Sequence, residues 1–193
     1  MYKRQPYNNY TDQQTISNSN LFSINRASSI SEWESGPRIN YGLELFMSQD
    51  INADISLSLG QSYRLNKNKD DPAEELSDYF LSSGLSSKNN FLNTSLVIDR
   101  KDIDIKSINL NSYTQIRKFK LATDYDYTSG KYNTPEEQIA IGGEYKLAGD
   151  FKFKFTGSKN LDTNKNIGYQ YGLLYENDCL GIDLNYYLSL IHI

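Results

Sequence analysis

The residues of this chain with the most chemical potential are one thiol, a set of lysines facing a glutamate, and two adjacent carboxylate pairs. Cys179 stands in the stretch YENDCLGIDLNYY (175–187), between an acidic turn and an alternating apolar run. A lone cysteine cannot close a disulfide within its own chain, so it is a free thiol or half of a bond to a thiol elsewhere. Lys118, Lys120, Glu144, Lys152 and Lys154 fall at alternate positions of neighbouring segments, where they can pair with one another or meet an anion. Glu136–Glu137 and Asp70–Asp71 are carboxylate pairs. Adjacent side chains on a strand or turn point apart, so shared acid–base work is not expected of them. The single histidine is His192, and there is no Ser/His/Asp set, metal-spaced Cys/His cluster or glycine-rich phosphate loop. No enzyme, no cofactor and no metal is expected.

The segments that carry these residues repeat with a period of two. Ile39, Tyr41, Leu43, Leu45 and Met47 share one face of 38–47, with Asn40, Gly42 and Glu44 on the other. Phe119, Leu121, Thr123, Tyr125 and Tyr127 oppose Lys118, Lys120, Ala122, Asp124 and Asp126. Phe151, Phe153 and Phe155 oppose Lys152, Lys154 and Thr156. The same pattern predicts strands over 38–47, 52–65, 78–86, 91–98, 104–113, 117–127, 137–147, 151–159, 166–175 and 179–188. In 104–113 the apolar phase slips between Ile105 and Ile108, which predicts a β-bulge. Hairpins around 128–136 and 148–150 bring Lys120, Glu144 and Lys154 into one cross-strand row of opposite charges.

The connections sort by length. QDIN (49–52), SKNN (87–90), AGD (148–150) and END (176–178) alternate with the longer NKNKDDPAEELS (66–77), TSGKYNTPEE (128–137) and NLDTNKN (160–166). The short DRKD (99–102) falls with the longer set. Short turns at one end and long loops at the other are the asymmetry of an outer-membrane β-barrel. The net charge of −4 gives no basic footprint for nucleic acid. A mean hydropathy of −0.64 and the lack of an apolar run of roughly 20 residues exclude spanning helices only. A barrel hides its apolar half in alternate positions. Tyr41, Tyr63, Tyr79, Tyr127, Tyr145, Tyr169, Tyr175 and Tyr186 are placed to form aromatic girdles at the two turn sets. The expected fold is all-β, an antiparallel up-and-down meander of about ten strands forming a fragment of a large transmembrane β-barrel. A Tyr-rich soluble β-protein is the alternative that composition leaves open.

NLFSINRASSISEWESGPRINYGLEL (20–45) resembles the asparagine-leucine-phenylalanine-serine…glycine-x-arginine-x-asparagine-tyrosine-glycine-leucine pattern of the LptD (OstA) family of lipopolysaccharide-assembly proteins. LSLGQSYRL (57–65), GLSS (84–87), GGEYKL (142–147) and YENDCLGIDLNYY are similar to later landmarks of that family's C-terminal barrel, in the same order. The resemblance implies an outer-membrane location in a Gram-negative bacterium and a share in inserting lipopolysaccharide into the outer leaflet. The partners it implies are lipopolysaccharide, outer-membrane lipid, an LptE-type plug lipoprotein and a periplasmic LptA-type bridge. It also makes Cys179 a candidate for an interdomain disulfide with a cysteine outside this chain, although many members carry an adjacent cysteine pair and this chain has one. The charge row would then line the lumen. The family's N-terminal jellyroll, its early strands and its closing strand have no counterpart here. Residues 1–19 read as a loop and non-native start, 20–188 as the partial barrel, and 189–193 as a non-native tail, because MYKRQ and LSLIHI resemble adapter read-through. The runner-up function is a porin or receptor barrel.

Overall fold

The computed structural model describes residues 37–49, 53–65, 75–131 and 135–189. The expectations for 1–36, for Asp70–Asp71 and for the tail from 190 on, including His192, lie outside the described residues.

Ten strands form one sheet: β1 Arg38–Gln49, β2 Ala53–Arg64, β3 Tyr79–Ser87, β4 Asn90–Ile98, β5 Ile105–Ile116, β6 Phe119–Thr128, β7 Glu136–Lys146, β8 Phe151–Asn160, β9 Lys165–Glu176 and β10 Gly181–Ser189. Each pairs antiparallel with its sequence neighbour, so the sheet order is the chain order. β1 and β10 are its two edges, and the sheet is not closed. Among the described residues there is no helix.

Connections 50–52, 88–89, 117–118, 147–150 and 177–180 lie at one end of the sheet. Connections 65–78, 99–104, 129–135 and 161–164 lie at the other. The expected sorting by length, a short-turn end against a long-loop end, holds for 65–78, 99–104 and 129–135, but the loop expected over 160–166 shrinks to 161–164, no longer than 147–150 or 177–180. The bulge holds too. Val97 pairs with Ser107 and Ile98 with Ile105, which leaves Lys106 as the extra residue of β5. A second bulge leaves Ile167 extra in β9, where Ser158 pairs with Gly168 and Lys159 with Asn166.

Most strand ends shift by one to three residues from the sequence reading, and those at the β5–β6 turn and at the start of β10 bear on the site. β5 runs on to Ile116 and β6 starts at Phe119, so Arg117 and Lys118 alone make the turn, with Arg117 at φ 53. β10 starts at Gly181 because the Asn177 side chain accepts hydrogen bonds from the N–H groups of Cys179 and Leu180, at 3.0 and 2.8 Å. That closes an Asx turn and holds those residues out of the ladder.

The register sends most apolar residues of the ten strands to one face, with Phe46, Phe80, Phe91, Val97 and Leu174 on the other. Leu43, Leu59 and Leu81 are consecutive partners on the first face, as are Leu110, Tyr125 and Ile139. This face is not packed against anything in the described residues: Leu43 is 60 % exposed and Leu184 62 %. Phe80 is the one buried large apolar side chain among the described residues, and it lies on the opposite, polar face beside Gly60 and Val97. Gln61 is a buried polar residue on the apolar face; it accepts from the Tyr41 hydroxyl at 2.5 Å and donates to the Ser77 carbonyl at 2.8 Å. Of the expected girdle tyrosines, Tyr41, Tyr63, Tyr79, Tyr127 and Tyr169 stand towards the long-loop end. Tyr145 and Tyr175 stand near the short turns, where the Tyr175 ring lies 4.9 Å from that of Phe151. Tyr186 sits mid-strand against Tyr171 instead.

Candidate functional site

The polar face carries the expected charge row. Gln115, Lys120, Glu144, Lys154, Gly172 and Asn185 are consecutive cross-strand partners from β5 to β10. Lys120 and Tyr125, five residues apart in β6, face opposite ways: Lys120 Nζ lies 3.1 Å from Glu144, while the Tyr125 hydroxyl donates to Glu137 at 2.9 Å. Glu136 accepts instead from the Gln138 amide, so the adjacent carboxylates Glu136 and Glu137 have separate partners.

The partner choice differs from the sequence reading in one respect. Lys154 pairs with Asp183 at 3.2 Å, two strands away, and no ion pair to Glu144 forms. Gly172 is the backbone partner of Lys154 on the strand between them and presents no side chain; a Cβ there would come within 2.6 Å of the Asn185 side-chain oxygen. Lys152 reaches diagonally to Glu176 at 3.1 Å. These pairs are half exposed and screened by water, so they add little to stability. Their effect is to neutralise Lys120, Lys152 and Lys154.

Lys118 lies in the β5–β6 turn, not on a strand wall, and its carbonyl accepts the Lys146 N–H at 2.9 Å. Lys146 in turn pairs directly with Lys152. Three cations thus occupy adjacent positions at the short-turn end, and like charges placed opposite one another repel. Lys118 and Lys146 are exposed and have no acidic partner among the described residues. Lys146 was visible as a polar-face residue, but nothing in a linear reading marks it as the neighbour of both Lys118 and Lys152.

A second charged cluster, not anticipated from the sequence, sits at the long-loop end. The bulge at Lys106 places its ammonium 2.7 Å from Asp78 and 3.1 Å from Asp99. Asp99 also accepts from the N–H groups of Asp102 and Lys101, at 2.9 and 2.8 Å. The Asp102 N–H, then that of Lys101, and the Lys106 ammonium hold its carboxyl down at about 2 against the burial that opposes ionisation. Lys131 bridges Asp102 and Asp104, each at 2.7 Å, and so ties the 129–135 connection to the 99–104 one.

Cys179 is exposed in its Asx turn at the short-turn end. Among the described residues no three His, Cys, Asp or Glu side chains converge on a metal position.

The arrangement defines a class by geometry: an antiparallel ten-strand meander with an exposed apolar face and a charge-paired polar face. No family model matches the chain, and no curated protein matches it in sequence.

Proposed function

We propose that this chain is part of an outer-membrane β-barrel that inserts lipopolysaccharide into the outer leaflet. The observation that carries the membrane half of the reading is the inverted burial. The face with Leu43, Leu59, Ile141, Phe153 and Leu184 stays open to its surroundings, while the ion pairs lie on the other face. A contiguous apolar surface of that extent needs a cover. Lipid covers such a face without a second layer of protein, and water on the other face keeps the charges solvated.

In lipid both edges, β1 and β10, need strand partners, since unpaired backbone groups there cost several kcal/mol each. Further strands of a larger barrel supply them. The long-loop end is then extracellular and the short-turn end periplasmic, which puts Cys179 on the side where an oxidising partner domain would stand.

The lipopolysaccharide half rests on the resemblance of segments 20–45, 57–65, 142–147 and 175–187 to the LptD/OstA family. In this reading the polar face lines the lumen, an LptE-type lipoprotein fills it, and an LptA-type bridge delivers the substrate. The lysines of that face meet the phosphates of lipid A. Replacing Lys118, Lys120, Lys152 and Lys154 by glutamate in the intact protein is expected to lower lipopolysaccharide arriving at the cell surface, measured by surface labelling. Unchanged arrival removes the assignment. A porin or receptor is the second reading, favoured by the paired wall charges, which suit a water-filled channel. Steady conductance in planar bilayers would select it.

A further inference from the structure

We infer that the apolar face carries a binding site for a phosphorylated acyl lipid, headed by Lys159. The inference rests on that face being in lipid, and it is independent of what the polar face transports.

The strand register leaves two charged residues on the apolar face, Glu137 and Lys159. Glu137 accepts from the Tyr125 hydroxyl at 2.9 Å, and Lys159 has no ion pair among the described residues. Lys159 is the penultimate residue of β8, opposite Ile139, at the long-loop end. That is the end where Tyr63, Tyr127 and Tyr169 gather, the depth at which amphipathic rings and headgroups meet. A lysine facing hydrocarbon is tolerated only at such a depth, where its ammonium can reach the interface.

Below Lys159 runs an apolar groove of about 400 Å³, lined by Ile139, Ile141, Phe155, Tyr169 and Tyr171. Two glycines shape it. The Phe155 ring lies over Gly143, in the space a Cβ would fill, and the Tyr169 ring lies over Gly157, 3.1 Å from where a Cβ would stand. The bulge at Ile167 ends the regular ladder at this point and sets Asn166 opposite Lys159 at the head of the groove. A single cation without an ion pair above a largely apolar groove matches an anionic headgroup above its own acyl chain. A free phosphate would use the cation and leave the groove unfilled, so the occupant is the whole lipid.

The test uses the intact protein, whose further strands cover β1 and β10, reconstituted in vesicles of equimolar phosphatidylcholine and phosphatidylglycerol carrying spin-labelled versions of either lipid. Electron paramagnetic resonance reads the motionally restricted fraction of each label. The restricted fraction is expected to favour phosphatidylglycerol about fivefold, the effect of one lysine near an anionic headgroup. Lys159→Ala should bring the preference close to unity, and Lys159→Arg should keep it. Amide infrared spectra confirm that the variants retain the sheet. A preference that survives Lys159→Ala, or no preference in the parent, overturns the site and leaves the transport reading standing. No restricted population with either label removes the membrane reading itself, and the site with it.

Discussion

The Lys154 ammonium meets Asp183 at 3.2 Å across the whole width of β9, where the lysine's own cross-strand partner is Gly172, a residue without a side chain. The pair joins the edge strand to the body of the sheet through side chains as well as backbone. Asp183→Asn should lower stability by about 0.2–1 kcal/mol, the range of a half-exposed pair. Gly172→Val should cost about 1–3 kcal/mol, because the new side chain meets the Asn185 side chain. Urea midpoints of the chain in detergent micelles measure both. Equal effects would mean that the close approach of Asn185 to Gly172 does not matter.

Asp99 makes stability depend on pH in a defined direction. Its folded pKa, about 2, lies below the ordinary 3.8. The contribution is therefore complete above 3.8 and is lost as pH falls through about 2. Asp99→Asn should flatten the midpoint-versus-pH curve across that window and leave its slope unchanged above pH 5. A parallel downward shift at every pH would show that the carboxylate charge is not what acts there.

Ile103 holds φ 58 in the 99–104 connection, a left-handed conformation that β-branched residues resist, and it is 77 % exposed. Little burial is lost on replacing it. Ile103→Gly should stabilise the chain by about 1 kcal/mol, from relief of about 1–2 kcal/mol of strain less the added freedom of glycine in the unfolded chain. A lower midpoint would overturn this.

The lysines should not act alike in the intact protein. Lys120, Lys152 and Lys154 each have an acidic partner, whereas Lys118 and Lys146 have none among the described residues. Under the transport reading, Lys118→Glu with Lys146→Glu should reduce surface lipopolysaccharide more than the three wall lysines changed to glutamine. The reverse order would place the anion contact on the wall.

Cys179 is exposed and held by Asn177. In the intact protein from oxidising cells, Cys179→Ser should abolish a mobility shift between reducing and non-reducing gels. In the isolated chain the thiol should react at once with maleimide. A shift that persists without Cys179 would assign the bond to other cysteines.

Much of this architecture can be read from residue order, because in a meander each strand's partner is its neighbour and alternation alone sets the two faces. The slip between Ile105 and Ile108 exposed the first bulge, since two apolar residues changed phase around it. The bulge at Ile167 left no such mark, because Tyr169, Tyr171 and Leu173 keep perfect alternation after it. The turn at Arg117–Lys118 was hidden for a different reason. Neither residue is a usual turn former, so Lys118 read as one more polar strand position. Side-chain partners were the least legible. A glycine such as Gly172 encodes a gap, and only the three-dimensional sheet shows which lysine reaches across it.

The free edges of β1 and β10 have a practical corollary for anyone handling this polypeptide. Among the described residues each leaves every second amide unpaired beside greasy residues such as Leu43 and Leu184, so in plain buffer one molecule's rim is a template for the next. Overproduced without surfactant, it should zip into fibrous deposits that bind amyloid dyes, and a proline inserted midway along β1 should slow their growth.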